Sequence, residues 1–175
     1  PYTEASLGKI MRALVTGGAG FIGSHLVDEL INLGYNVVVF DNLSSGKMEF
    51  LPDDDKEKFE FIEGDLTNLE QVKSAMKNID CVFHLAANPD IRLGTKITDT
   101  DLKQGTIATY NVLESMRLND VKKIVFASSS VVYGENAPLP TPESFGPCLP
   151  ISLYGASKLA VSYTHLRAHE TGPYL

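Results

Sequence analysis

"VTGGAGFIGSH", residues 15–25, decides the fold. It sets Gly17, Gly20 and Gly23 in a G-x-x-G-x-x-G spacing, directly after the apolar run "MRALVTGG" and at the start of a helix-like stretch. Glycine at these places lets the backbone turn tightly, approach a pyrophosphate and pack the helix close on the strand. The helix start adds free N–H groups and about half a positive charge for the phosphates. A second apolar run, "YNVVVFDN", ends in Asp41, 18 residues after Gly23. That is close to the roughly 20 expected of the acidic residue on an adenosine ribose.

The spacing therefore predicts a dinucleotide site. Asp41 also selects the cofactor, because a carboxylate accepts hydrogen bonds from the 2′- and 3′-hydroxyls but repels a 2′-phosphate, and Asn42 beside it brings no positive charge. NAD is expected over NADP, a preference that Lys47 would weaken if its loop folded back.

Working outward, "FEFIEGD", "CVFHLAA" and "KKIVFASSS" repeat the apolar, β-branched pattern, making five strands in all. Their near-continuous apolar character suits a parallel sheet covered on both faces. Between them, Ile22, Leu26, Leu30 and Leu33 form one apolar stripe, and Ile107, Tyr110, Leu113 and Met116 mark a helix before the fifth strand. The alternation predicts an α/β fold, a Rossmann-like doubly wound parallel sheet. Residues 42–58 read as a polar loop with one acidic cluster. Residues 134–150 hold five prolines, and a long Pro-rich connection of this kind is expected to line a site.

The bulk numbers narrow the function. A chain of 175 residues, 43% hydrophobic and 21% charged, supports one folded domain. A net charge of -7 argues against nucleic acid, whose binding relies on Lys and Arg neutralising phosphates. No apolar run reaches membrane-spanning length and no secretory leader stands at the start, so neither membrane nor export is expected and the cytoplasm is the simplest home. Cys81 and Cys148 form no disulfide framework or metal spacing. No metal site is expected, and His25 and His84 read as packing or pocket wall.

Tyr154 and Lys158 stand four apart in "YGASK" and so share one helix face. A tyrosine near pKa 10 is a poor base at neutral pH. Lowering it about three units takes roughly 4 kcal/mol, which one cation at about 4 Å supplies at an effective dielectric near 20. Lys158 is expected to be that cation.

Taken in order, "TGGAGFIGSHL", "DNLSSG", "GDL", "HLAA", "SSSVVYG" and "YGASK" resemble the extended short-chain dehydrogenase/reductases, in particular the NAD-dependent sugar epimerase/dehydratase family. The resemblance covers residues 11 to about 160. It implies that Gly17, Gly20 and Gly23 hold the pyrophosphate, Asp41 and Asn42 the adenosine ribose, and Asp65 and Leu66 flank adenine, while Phe21 and Ile22 also bind the cofactor and Leu85, Ala86 and Ala87 line the pocket. It further implies a catalytic Ser129, Tyr154 and Lys158, with Tyr154 and Lys158 also binding the cofactor, Lys158 through a ribose. Tyr154 would take a proton from a sugar hydroxyl as the sugar carbon is oxidised by NAD, and return of the hydride to the opposite face would invert the centre.

Dehydratases of this family carry an acid and a base where this chain has Ser130 and Val131. The expected activity is therefore epimerisation of a nucleotide-sugar such as a UDP-hexose, ahead of dehydration, decarboxylation or a non-catalytic NAD sensor. One departure is "KQGTIATYN", which has Gly105 where the family commonly has Asn.

Family members run to roughly twice this length and continue into a substrate-binding lobe, so the resemblance implies a truncated sheet and, for the full-length form, a homodimer. Residues 1–10 are expected to be a non-native or upstream extension before Met11, and residues 11–160 the NAD-binding domain. Residues 161–175 are expected to be a non-native tail, since "VSYTHLRAHET" resembles a translated sequencing adapter. Such a fragment would expose an open sheet edge and an apolar face, and would be poorly soluble or inactive.

Overall fold

A computed structural model describes residues 10–52 and 58–170, with the backbone alone for residues 91, 95 and 163–170. The acidic cluster at 53–57, the extension before residue 10 and the last five residues of the expected tail lie outside the described residues.

Five strands form one parallel sheet: β1 (Arg12–Thr16), β2 (Asn36–Asp41), β3 (Phe59–Glu63), β4 (Cys81–His84) and β5 (Ile124–Phe126), in the order β3-β2-β1-β4-β5. All five expected strands are present. The helices are α1 (Phe21–Asn32), α2 (Leu69–Ala75), α3 (Ala108–Leu118) and α4 (Leu153–Glu170).

Successive strand residues point to opposite faces, so β1 feeds two cores at once. Leu14, with Val38, Phe40 and Val82, packs beneath α2 and α3 through Val72, Met76, Val112 and Met116. Ala13 and Val15, with Val37 and Val39, pack beneath α1 through Val27, Leu30 and Ile31. Burial on both sides explains why the strands read as apolar throughout. The chain leaves β1 toward β2 on one side and reaches β4 on the other, which opens a crevice at the carboxyl ends of β1 and β4.

Two helix faces differ from the expected stripes. On α1 the buried face is Gly23, Ser24, Val27, Leu30 and Ile31, whereas Ile22 and Leu33 are exposed and Leu26 is only partly buried. The rotation follows from Gly23, where any Cβ would collide with the Gly17 carbonyl oxygen and Gly18 Cα. On α3, Tyr110 is exposed, while Thr109 and Asn111 are buried alongside Val112 and Met116. Ile107 precedes this helix in a π-helical turn, Leu102–Ile107. The wider turn shifts the register, and buried Thr109 and Asn111 are tolerated because both are hydrogen-bonded.

The 134–150 connection closes on itself, with Gly134 at φ 79 against the Leu149 carbonyl, and delivers the chain to the start of α4. Strand β5 is an outer strand whose Val125 is 56% exposed. No described helix is long and apolar enough to cross a membrane.

Candidate functional site

A cleft of about 620 Å³ opens over the carboxyl ends of β1, β2 and β4. The glycine turn forms its floor. Gly17 has φ 70, and a Cβ there would come within 2.8 Å of Ala86 Cα, so the turn and the end of β4 pack backbone on backbone. Gly17, Gly20, Phe21, Ile22 and Gly23 all line the cleft. Gly20 caps α1 without a side-chain hydrogen bond, and no acidic residue stands in the first turn.

Asp41 and Asn42 form one wall. Asp41 is nearly buried, its Oδ2 accepting from the Ala19 N–H at 3.0 Å and its Oδ1 from the Leu43 N–H at 2.9 Å. The carboxylate thus ties the glycine turn to the β2 terminus. The following loop does fold back, since the Lys47 N–H donates to the Ala19 carbonyl at 2.9 Å, but the Lys47 ammonium lies 5.8 Å over the Phe50 ring.

Leu66, Leu85, Ala86 and Ala87 complete the apolar lining. Asp65 is not among the lining residues. Its Oδ1 accepts from the Thr67 N–H at 2.8 Å, so the carboxylate closes a turn.

At the far end of the cleft, Ser129 from the segment after β5 and Tyr154 from α4 come together, although 25 residues separate them. Among the three consecutive serines, Ser129 is the one that lines the cleft. It caps a short 3₁₀ turn, accepting from the Val131 N–H at 3.5 Å. None of residues 134–150 lines the cleft, contrary to the expectation for the Pro-rich loop.

Lys158 is buried behind Tyr154 and is not among the lining residues. Its ammonium donates to the Ala127 carbonyl at 2.8 Å and sits 4.5 Å over the Phe126 ring, with the Tyr154 ring 5.8 Å away. Burial pulls the Lys158 pKa down to about 8.

Tyr154 is shifted upward, opposite to the sequence expectation. Burial is the main cause and the Asp101 carboxylate the second, partly offset by a hydrogen bond with Ser129. Desolvation penalises the phenolate, and the Lys158 charge is spent on a carbonyl and an aromatic face instead.

Several lining residues carried no role in the sequence reading: Ser44, Ser45 and Gly46 of the folded-back loop, Asn88 beyond β4, and Gln104 in the π-helical turn. The motif "DNLSSG" contained the loop, but nothing local to Asn88 or Gln104 marks them. At Gly105, a Cβ would meet the Ser157 hydroxyl, so the family's Asn would not fit here without displacing that side chain. His25 is exposed and bonded to the Phe21 carbonyl at 2.8 Å, while His84 is fully buried. No group of three or more potential metal ligands occurs among the described residues.

Residues 13–173 match the model of the NAD dependent epimerase/dehydratase family. A UDP-glucose 4-epimerase of Halalkalibacterium halodurans is 39% identical over 153 residues, covering 86% of this chain and 44% of that protein. A crystal structure of a UDP-galactose 4-epimerase superposes with a TM-score of 0.83 at 47% identity, covering 92% of this chain and 52% of the other. The UDP-glucose 4-epimerase of Thermus thermophilus in complex with NAD gives 0.77 at 36% identity, covering 91% and 50%. The chain spans about half the length of the relatives it matches.

Proposed function

The chain belongs to the NAD dependent epimerase/dehydratase family, and from that premise we propose that it is the cofactor-binding half of a nucleotide-sugar 4-epimerase, taking NAD in the cleft and acting on a UDP-hexose. One observation carries this reading: Ser129 and Tyr154 line the same cleft as the glycine turn and Asp41.

The residues fit NAD. The uncapped first turn of α1 leaves the amides of Phe21, Ile22 and Gly23 as donors for a pyrophosphate. Each Asp41 oxygen already accepts one N–H and retains a lone pair for a ribose hydroxyl. With the Lys47 ammonium over Phe50, a 2′-phosphate would meet the Asp41 charge unopposed.

When bound, NAD supplies the two-electron acceptor that lets a sugar carbon be oxidised and reduced again. Ionised to the phenolate, which the positive charge of an oxidised nicotinamide would favour against the burial that raises its pKa, Tyr154 takes the hydroxyl proton at its phenolic oxygen, and the Ser129 hydroxyl hydrogen-bonds the same sugar oxygen. Lys158 holds a buried positive charge behind the phenol. Val131 offers neither acid nor base, which supports epimerisation over dehydration or decarboxylation. The convergence of Ser129 and Tyr154 supports catalysis over a non-catalytic sensor.

The test is the full-length protein carrying these residues, assayed for interconversion of UDP-glucose and UDP-galactose, with Tyr154→Phe in parallel. The expected result is turnover by the wild type and a loss of about a hundredfold or more in the variant, with NAD still bound. Full turnover by Tyr154→Phe would remove Tyr154 as the base, and no reaction of any UDP-hexose would remove the function. The 175-residue chain is expected to bind NAD without epimerising.

A further inference from the structure

His84 ends β4 fully buried, and its two ring nitrogens are both engaged. Nδ1 lies 2.6 Å from Thr16 Oγ1 at the end of β1, and Nε2 lies 2.9 Å from Thr109 Oγ1 on α3. The ring also stacks on Phe126 at 5.7 Å.

The proton positions follow from the partners. Thr109 Oγ1 donates to the Gly105 carbonyl at 2.6 Å, because a carbonyl can only accept. Its one proton is thereby used, so it accepts from His84 and Nε2 carries the hydrogen. Burial, with a smaller contribution from the Lys158 charge, pushes the imidazole pKa down to about 3. The ring is therefore neutral and Nδ1 is bare, accepting from the Thr16 hydroxyl. Thr16 Oγ1 in turn accepts from the Ala86 N–H at 3.4 Å. Every donor points the same way: Ala86 N–H to Thr16, Thr16 to His84, His84 to Thr109, Thr109 to the Gly105 carbonyl.

We infer that His84 is a positioning residue: as the Nε2–H tautomer it joins β1 to the π-helical turn through Thr16 and Thr109, and so fixes Ala86 and Gln104, which line the cleft from two different elements. Gln104 directly precedes Gly105, and both Ala86 and Gln104 line the cleft. The inference rests on the reading of that cleft as a dinucleotide site for its consequence, but not for the chain of hydrogen bonds itself. In a dry site each link polarises the next, and a missing partner leaves a buried donor or acceptor exposed to no water.

The test uses the 175-residue chain, ¹⁵N-labelled at histidine and at backbone amides, with the His84 signals assigned by their loss in His84→Gln. The expected spectrum has a bare Nδ1 and a protonated Nε2 that do not titrate between about pH 5 and pH 8. Thr16→Val and Thr109→Val are expected to shift the Ala86 and Gln104 amides and to weaken NAD binding about tenfold or more, whereas Thr16→Ser and Thr109→Ser restore both.

An Nδ1–H tautomer, titration in that range, or Val variants equal to the Ser variants would each overturn the inference. If the wild type binds no NAD, the cofactor reading fails. The tautomer and the amide shifts then decide this inference by themselves.

Discussion

Lys158 places its ammonium 5.8 Å from the centre of the Tyr154 ring and donates to the Ala127 carbonyl at 2.8 Å. The pair shares one helix face, as i and i+4 residues must, yet the cation is anchored to the sheet rather than to the phenol oxygen. Tyr154 responds to its burial and to Asp101, and its pKa rises.

Removing the Asp101 charge is therefore expected to lower the Tyr154 pKa. Asp101 is buried, its Oδ1 accepting from Asn88 at 3.0 Å, and among the described residues its Oδ2 has no partner. The phenolate absorbance of Tyr154, isolated by subtracting Tyr154→Phe, should appear at lower pH in Asp101→Asn. An unchanged midpoint would show that the carboxylate does not act on the phenol.

Lys158 makes stability depend on alkaline pH. Its folded pKa of about 8 lies below the unfolded 10.5, so between these values the unfolded chain binds more protons and stability rises with pH. The full span amounts to about 3 kcal/mol. Denaturant titrations from pH 8 toward pH 10, below the Tyr154 transition, should show this rise in the wild type and a flat profile in Lys158→Met.

His84 acts at the acid end. With a folded pKa of about 3 against 6.5, its contribution is complete above pH 6.5 and is lost as pH falls toward 3, by about 5 kcal/mol at most. His84→Gln does not titrate, so it should be less stable than wild type at neutral pH but lose less on acidification. Parallel slopes for the two proteins would contradict the neutral, buried imidazole.

Gly23→Ala and Gly146→Ala should behave oppositely. At Gly23 the new methyl meets the backbone of Gly17 and Gly18, whereas at Gly146 nothing lies within 4 Å. The first should abolish NAD binding and lower the melting temperature. The second should leave stability within about 0.5 kcal/mol. Isothermal titration and thermal melts of both would decide.

Asp41→Asn should narrow the preference for NAD over NADP by about tenfold or more, since a charge facing the 2′-position is removed. An amide has only one oxygen for the Ala19 and Leu43 N–H groups, so a loss of about 1 kcal/mol of stability should accompany it. Affinities for both dinucleotides, measured side by side, test the point.

The parts of this protein legible in its sequence are those written in local chemistry. Unbroken β-branched runs can only be strands covered on both faces, and glycines three apart after such a run permit a turn that other residues would block. Asp41 follows from the length of one strand-helix-strand unit. Ser129 and Tyr154 were marked by the motifs around them, and the fold brings them to one cleft.

What only the tertiary structure decided depends on partners distant in the chain. The rotation of α1 is set by backbone contact between Gly23 and Gly17, and outweighs the apolar stripe through Ile22 and Leu33. Thr109 and Asn111 are buried because His84 and the Leu66 carbonyl happen to stand opposite them. Asn88 and Gln104 reach the cleft through the end of β4 and a π-helical turn that periodicity does not reveal. The direction of the Lys158 ammonium was likewise settled by where β5 ends, because a long flexible side chain goes to the nearest buried acceptor, and no spacing within its own helix encodes that acceptor's place.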